Sequence, residues 1–174
     1  MNCGDRELAF DFATAAYRSR GVVRDLIHHF KYRRQMHLRH LLARMLSEGF
    51  RDPRLVPEPP DLIVPVPLHP TRRREREFNQ AEVLARLAGE RLGLPVSDCL
   101  RRRRYTFTQT NFHREERFEN LAGAFELRHN AAVDGRRVAL VDDVLTTGST
   151  ADACAGALRE AGAAAVVVIT VARG

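Results

Sequence analysis

Two adjacent carboxylates, Asp142 and Asp143, stand three residues ahead of a run of hydroxyl and glycine residues at 146–150. Ionised carboxylates accept hydrogen bonds from hydroxyl groups, whereas hydroxyl side chains and free backbone N–H groups at a helix start bind phosphate. Two acids would repel a simple anion, so the pattern favours a ligand that carries a polyol next to its phosphate. A ribose 5-phosphate group fits that description.

The full segment, residues 138–150, reads VALVDDVLTTGST and ends where a helix is predicted to begin. Gly148 permits the unusual backbone angles that let several N–H groups converge on one phosphate. Taken singly, these residues have simpler roles: Thr146 or Ser149 as a helix cap, and the acids as solvated loop charge. The whole string at a strand-to-helix junction favours phosphate binding. The predicted phosphate loop consists of Thr146, Thr147, Gly148, Ser149 and Thr150.

The elements around this segment alternate between strand and helix. Residues 138–141 and 165–171 are apolar runs typical of buried strands, and an alanine-rich helix is predicted between them at 149–161. This βαβ unit predicts an α/β fold with a mostly parallel twisted sheet covered by helices on both faces. In such a sheet the ligand crevice lies outside the carboxyl ends of the strands, where Asp142 and Asp143 are expected.

The rest of the chain supplies further elements of both kinds. Strands are predicted at 8–17, 61–67, 99–105 and 124–127, and helices at 22–32, 38–46 and 79–92. We predict an N-terminal part, residues 1–60, made of a strand and helices, and a core at 61–174. At this length the two parts are best treated as one domain.

Composition and charge restrict the class of protein. The chain has 174 residues, 44% hydrophobic and 29% charged, which is typical of a globular domain and excludes disorder as the main state. No apolar run approaches the roughly 20 residues of a membrane span, and acids stand where a signal peptide would be basic and then apolar. We therefore expect a cytoplasmic protein. The net charge is +6, residues 72–104 hold ten arginines against five acids, and Lys31 is the one lysine.

Cysteines and histidines form no complete metal site in the sequence. Cys3, Cys99 and Cys154 are widely spaced and include no Cys-x-x-Cys pair, so packing roles are expected for Cys99 and Cys154. The histidines on the first two predicted helices lack acids or cysteines at ligand spacing, which favours surface or packing roles. They are His28, His29, His37 and His40. A Gly-x-x-x-x-Gly-Lys-Ser/Thr segment is also absent, which argues against the common nucleotide-hydrolysing loop.

The segment 138–150 closely resembles the signature of type I phosphoribosyltransferases that binds 5-phosphoribosyl 1-diphosphate (PRPP). The resemblance implies the type I phosphoribosyltransferase fold with a small N-terminal hood, and an activity of the glycosyltransferase class. It assigns Asp142 and Asp143 as the catalytic pair that binds the ribose hydroxyls, and residues 146–150 to the 5-phosphate. Mg²⁺ is implied as the cofactor, bound through the ligand rather than at a protein metal site.

Longer stretches resemble the ComF family of competence-associated phosphoribosyltransferase-like proteins. They are DLIHHFKYR, ending at Arg33, DLIVPVPLHPTRRREREFNQAEVLA from Asp61, LRRRRYTFTQTNFHREERFENLAGAF from Leu100, and the ending VITVARG. The resemblance runs from about Phe10 to the C-terminus. ComF proteins commonly carry a four-cysteine zinc module before this domain, whereas only Cys3 stands near the start here. We therefore expect no structural zinc in this chain.

In type I enzymes the loop after an earlier strand binds the pyrophosphate, often through a cis peptide. The resemblance places this loop at Pro65, Val66, Pro67, Leu68 and His69, together with Arg76. Val64–Pro65 or Val66–Pro67 could be cis, although trans is the commoner form. The other arginines before Arg76 could neutralise a diphosphate or form a solvated basic turn. Glu77 stands where the family commonly has glycine, so a left-handed backbone would be strained there.

A mobile loop that closes over the site is implied at residues 105–117. The positions that match the family in and beside this loop are Thr106, Gln109, Arg117 and Asn120. A polar loop of this length is suited to excluding water from a reactive sugar.

The implied function is Mg-dependent transfer of the phosphoribosyl group to an unidentified acceptor with release of pyrophosphate. No residue is assigned as general base. The alternative is a non-catalytic protein that binds PRPP or single-stranded DNA and works with the DNA-uptake machinery. The arginines of 72–104, with Phe78 and Tyr105 nearby, could form a nucleic-acid surface. The sequence does not decide between a monomer and a homodimer.

Overall fold

A computed structural model describes residues 8–33, 35–103, 121, 123–128 and 133–174. The strands are β1 Phe12–Arg18, β2 Leu62–Pro65, β3 Leu100–Arg102, β4 Phe125–Leu127, β5 Arg137–Leu145 and β6 Ala165–Arg173. The α-helices are α1 Gly21–Tyr32, α2 Arg39–Gly49, α3 Pro70–Arg76, α4 Gln80–Leu92 and α5 Ser149–Glu160. Single 3₁₀ turns lie at Met36–Leu38 and Pro53–Leu55.

The central sheet has four strands in the order β1-β6-β5-β2, and every neighbouring pair is parallel. Strands β3 and β4 form a separate antiparallel pair. The middle strands, β5 and β6, are buried over most of their length because helices cover both faces of the sheet. The predicted α/β fold with a mostly parallel sheet between helices is therefore confirmed.

Alternation along the strands divides the core into two hydrophobic clusters. Val138 and Leu140 of β5 point to the cluster formed with α5 and the β3–β4 pair. Ala139 and Val141 point to the opposite cluster, which contains Phe30 of α1 and buried residues of α2 and α4. Because successive side chains of a strand lie on opposite faces, the residues that follow on β5 are expected to continue this alternation.

Several local features differ from the sequence-based expectation. Strand β5 continues to Leu145, so both aspartates lie within the strand rather than after it. The run of arginines after His69 forms helix α3 instead of a solvated turn. Pro70 stands at the start of this helix, where a backbone N–H would have no partner within the helix, so the missing N–H of proline costs nothing. The helix ends at Glu77, whose φ of 67° is left-handed. No cis peptide bond occurs among the described residues, so both Val64–Pro65 and Val66–Pro67 are trans.

Within the described residues, no helix combines the length and the apolar composition needed to cross a membrane. The predicted mobile-loop positions Thr106, Gln109, Arg117 and Asn120 lie outside the described residues.

Candidate functional site

A cleft of about 450 Å³ opens at the carboxyl ends of β2 and β5. This is the edge of a parallel sheet where ligands bind in α/β folds. Its walls come from α1, the segment after β2, the ends of α3 and α4 that face each other, and β5 with the start of α5. The charged residues of the lining are Arg24, Lys31, Arg76, Arg102, Asp142 and Asp143. Four cations and two carboxylates suit a ligand that is anionic and also carries hydroxyl groups.

Most of the residues predicted to form the site line this cleft. They are Asp142, Asp143, Thr146, Thr147, Gly148, Ser149, Thr150, Val66, Pro67, Leu68 and Arg76. Pro65 and His69 are the described exceptions. Pro65 is buried in β2, where it is aligned with Val141. His69 instead caps α3, because its Nδ1 accepts a hydrogen bond of 3.2 Å from the N–H of Thr71. Burial, together with the charges of Arg102 and Arg74, lowers the pKa of His69.

The predicted phosphate loop has the geometry of an anion site. Gly148, with a φ of 83°, is the N-cap of α5 and makes no side-chain cap bond. The cap position therefore belongs to glycine, and neither Thr146 nor Ser149 fills it. Thr147 Oγ1 and Ser149 Oγ lie 3.0 Å apart, which holds two hydroxyls together beside the helix start. The first N–H groups of a helix have no partner within the helix and carry the positive end of its dipole.

The two aspartates have different surroundings. Asp143 is 3% exposed and belongs to the face of α1 and α4, where Lys31 Nζ lies 2.7 Å from its Oδ1 and Gln80 Nε2 lies 3.2 Å from its Oδ2. Asp142 Oδ1 accepts a hydrogen bond of 2.8 Å from the N–H of Asp143. Burial, followed by the charge of Asp143, raises the pKa of Asp142 to about 7, against the opposing effect of Lys31.

Lys31 and Gln80 are site residues that the sequence reasoning did not assign. Burial lowers the pKa of Lys31, but the charges of Asp143 and Asp142 outweigh this effect and raise it overall. Gln80 is 3% exposed, and its Oε1 has no hydrogen-bond partner in the described part of the chain. A buried acceptor without a partner costs stability, so this oxygen is suited to a donor on the ligand. The available signals were that Lys31 is the one lysine and that Gln80 ends the segment REFNQ, residues 76–80, which lies in the stretch that resembles the ComF family.

Asn79 connects the start of α4 to the loop after β2. Its Oδ1 accepts from the N–H of Ala81 at 3.1 Å and caps α4, while its Nδ2 donates to the carbonyl of Val66 at 3.0 Å. One buried side chain thereby begins α4 and fixes the loop. Gln80, the next residue, is carried into contact with Asp143.

An aromatic and cationic rim borders the cleft beside Lys31. Arg76 Nη2 donates to Tyr32 Oη at 3.2 Å, and the guanidinium lies 4.8 Å from the centre of the Tyr32 ring. The rings of His28 and Tyr32 are 4.9 Å apart, and Tyr32 remains 58% exposed. An exposed ring with a cation on it can stack with another planar group.

The cleft offers mainly oxygen donors to a metal ion, beside the imidazole of His28. No group of three or more His, Cys, Asp or Glu among the described residues is arranged to bind a metal ion. Cys99 and Cys154 are free and buried, as expected for packing roles. Asp142 and Gln80 line the same cleft, and the hard oxygen donors of their side chains suit Mg²⁺ rather than a soft metal.

Comparison with known proteins agrees with this geometry. The phosphoribosyl transferase domain family matches residues 79–174. Competence protein F of Haemophilus influenzae is 36% identical over 152 residues, which cover 85% of this chain and 66% of that protein. DNA utilization protein YhgH of Escherichia coli K12 is 38% identical over 146 residues, which cover 82% and 63%. Competence protein ComFC of Bacillus subtilis is 29% identical over 155 residues, which cover 88% and 60%.

The match to the domain family begins at Asn79 and so includes Gln80, the aspartates and the phosphate loop. The match to the relatives extends over most of the chain, and the chain spans slightly less than two thirds of the length of each of the three. The fold, the signature and the relatives agree. The chain belongs to the ComF family and has the type I phosphoribosyltransferase fold.

Proposed function

We propose that the chain binds PRPP in this cleft and transfers its 5-phosphoribosyl group to an acceptor. The observation that carries the proposal is the position of Asp142 and Asp143 near the carboxyl end of β5, shortly before the glycine-capped start of α5. A carboxylate pair beside an anion site matches the hydroxyl and phosphate groups of one ribose phosphate. The match to the phosphoribosyl transferase domain family supports the same ligand.

Each part of the lining has a role in this proposal. Residues 146–150 bind the 5-phosphate through N–H and hydroxyl groups, and Asp142 accepts hydrogen bonds from the ribose hydroxyls. Asp143 and Gln80 position Asp142 and the floor of the cleft. Arg76 and the loop of Val66, Pro67 and Leu68 face the diphosphate. Mg²⁺ bound with PRPP would neutralise charge on the diphosphate. The side-chain oxygens of Asp142 and Gln80 are the donors in the cleft that suit this ion.

The proposed reaction is a substitution at the anomeric carbon of the ribose. The bond between that carbon and the diphosphate oxygen breaks, and its electron pair leaves with pyrophosphate. An electron pair of the acceptor forms the new bond to the same carbon. The protein contributes by holding the sugar in place and by stabilising the charge of the leaving group, which are large terms in catalysis of this kind. The acceptor is not identified by the residues of the cleft.

Calorimetric titration with Mg-PRPP tests this proposal. We expect saturable binding by the native chain, a loss of at least about tenfold in affinity for Asp142→Asn, and no measurable binding for the Asp142→Asn, Asp143→Asn double variant. Glu90→Gln is the matched control, because it also removes one carboxylate but lies exposed on α4. A folded native chain that shows no heat at millimolar PRPP would contradict the proposal.

A role in DNA uptake is the second candidate, and the names of the relatives favour it. The described arginines include exposed Arg73 and Arg74 on α3 and Arg101 on β3, which could contact a phosphate backbone.

Fluorescence anisotropy with labelled oligothymidylate at several salt concentrations tests this role. We expect the Arg73→Gln, Arg74→Gln variant to bind more weakly, and its salt slope to fall by about 0.7 for each of the two arginines that binds a phosphate. Arg51→Gln, which removes an exposed arginine of another region, is the control. Equal slopes for the three proteins would contradict this role.

A further inference from the structure

We propose that Lys31 binds the diphosphate of PRPP directly, while remaining paired with Asp143. This inference rests on the proposed function, because it names a further ligand-binding residue in the same cleft. Lys31 lies on α1, outside the residues 79–174 that match the phosphoribosyl transferase domain family. It therefore connects the N-terminal part of the chain to the ligand.

The position of the Lys31 side chain supports a contact with the ligand. Lys31 lines the cleft, and its Nζ lies 2.7 Å from Asp143 Oδ1 with 20% of the side chain exposed. An ammonium group has three hydrogen-bond donors, and Asp143 takes one of them. Because Lys31 lines the cleft and its side chain is partly exposed, we infer that the remaining donors meet a ligand there. An ion pair at the wall of a cleft is well suited to sharing its cation with an incoming anion.

The choice of lysine at position 31 also supports this contact. The chain has 28 basic residues, and Lys31 is the one lysine among them. An ammonium is a compact charge on a flexible stem, whereas a guanidinium is a planar fork with fixed donor directions. A compact cation can contact Asp143 and a phosphoryl oxygen at the same time from different directions. The presence of lysine at this half-buried position agrees with such a double contact.

The neighbours of Lys31 indicate which part of the ligand it meets. Arg76 donates a hydrogen bond to Tyr32, the residue after Lys31. The charge of Arg76 also lowers the pKa of Lys31, against the larger effects of the two aspartates. The two cations therefore share the side of the cleft between α1 and the loop after β2. In PRPP the ribose lies between its two phosphate groups. With the 5-phosphate at Gly148 and the ribose at Asp142, the diphosphate at the anomeric carbon is directed to the cations that remain.

A purely structural role for Lys31 makes a different prediction. If Lys31 acted only by holding Asp143, its loss would weaken the binding of every ligand that contacts the carboxylate pair. If Lys31 binds the diphosphate, its loss would weaken the binding of PRPP and leave the binding of ribose 5-phosphate largely unchanged. Ribose 5-phosphate has the same sugar and 5-phosphate but no diphosphate. Affinities for the two ligands therefore separate the two roles.

The experiment compares PRPP and ribose 5-phosphate, each with Mg²⁺, by calorimetry on the native chain, Lys31→Met and Arg33→Met. Arg33→Met is the matched control, because it removes a cation directly after α1 that does not line the cleft. We expect Lys31→Met to weaken PRPP by about tenfold or more and ribose 5-phosphate by less than about threefold. Arg33→Met should bind both ligands like the native chain. If circular dichroism shows that Lys31→Met does not fold, Lys31→Gln replaces it, because glutamine can still donate to Asp143 without a charge.

Three results would overturn the inference. An equal loss for both ligands would assign Lys31 to positioning Asp143, and unchanged affinity for PRPP would remove it from the site. In both cases native binding of PRPP would leave the proposed function in place. If the native chain bound neither ligand, the proposed function itself would fail, and this inference with it.

Discussion

At the scale of single residues, Asp142 and Asp143 have different surroundings and different roles. Alternation along β5 sends Asp143 to the face of α1 and α4, where Lys31 and Gln80 occupy both of its oxygens. Asp142 follows Val138 and Leu140 on the opposite face, and its Oδ1 accepts a hydrogen bond from the N–H of Asp143. Asp142 is thus the acid with more acceptor capacity left for a ligand, and Asp143 anchors the cleft to two helices.

Titration of Asp142 leads to a prediction about stability. Its pKa is raised from 3.8 to about 7 in the folded chain, so the folded state holds a proton that the unfolded state has released between about pH 4 and 7. The free energy of unfolding should therefore fall as pH rises through this window, by at most about 1.4 kcal/mol per pH unit. Asp142→Asn cannot titrate, so it should gain stability relative to the native chain between pH 5 and pH 8.

Urea unfolding of both proteins at pH 5 and pH 8 measures this difference. Comparison with the variant cancels the contributions of other carboxyl groups, such as Asp52, whose pKa is lowered by its hydrogen bond from Arg54. Parallel pH profiles for the two proteins would mean that Asp142 is already ionised at pH 5 in the folded chain.

At the scale of elements, helix α3 and its end hold Arg76 at the cleft. His69 and Pro70 start the helix, and Glu77 ends it with a left-handed backbone. A left-handed conformation costs a residue with a Cβ roughly 1–2 kcal/mol, and glycine avoids this cost. The family commonly has glycine at this position, so the sequence predicted strain at Glu77 if its backbone were left-handed. The structure has this left-handed backbone.

Replacement of Glu77 by glycine should therefore stabilise the chain. We expect Glu77→Gly to raise the free energy of unfolding by about 0.5–1 kcal/mol, because the relief of strain exceeds the added flexibility of the unfolded chain. Glu75→Gly is the control: it lies inside α3, where glycine should destabilise by a similar amount. Both values come from denaturant titrations. Destabilisation by Glu77→Gly would show that side-chain contacts of Glu77 outweigh the backbone strain.

Helix α4 lies close to the segment that follows it, and Gly89 makes this contact possible. A Cβ at Gly89 would lie 2.5 Å from Val96 Cγ2 and 2.8 Å from the carbonyl oxygen of Leu94. Gly89→Ala should destabilise the chain by about 1–3 kcal/mol, because backbone cannot move aside cheaply. Gly156→Ala in α5 is the matched variant, since its nearest neighbour atom would be 4.0 Å away. There alanine should stabilise by up to about 1 kcal/mol. Thermal denaturation compares the two, and an equal effect of both substitutions would refute the packing argument.

At the scale of the whole molecule, one sheet joins the two ends of the chain. Strand β1 pairs with β6, and β5 lies between β6 and β2. Both hydrophobic clusters use residues of β5 and β6, so neither cluster can form without the shared strands. The cleft likewise needs α1 from the N-terminal part and β5 from the C-terminal part.

This arrangement predicts that residues 1–60 and 61–174 unfold together. The chain has no tryptophan, and Tyr17 and Tyr32 lie in the N-terminal part, so tyrosine fluorescence reports largely on that part while far-ultraviolet circular dichroism reports on all helices. Urea titrations followed by the two signals should have the same midpoint. A separate, earlier transition in fluorescence would mean that the N-terminal part is an independent unit.

Local signals in the sequence determined the βαβ unit, the helix ends and the ComF resemblance. An apolar run, a period of 3.6 residues and a cap such as Asn79 act through neighbours along the chain, so they can be recognised without a fold. The glycine-capped start of α5 and the aspartates before it belong to the same kind of signal. These signals were enough to identify the phosphate loop and the aspartates that line the cleft.

Only the tertiary structure decided which distant side chains meet. The contacts of Asp143 with Lys31 and Gln80 join three elements, and no spacing along the chain encodes them. The physical reason is that packing of α1 and α4 on one face of the sheet sets these distances. Alternation on β5 then determines which aspartate faces those helices.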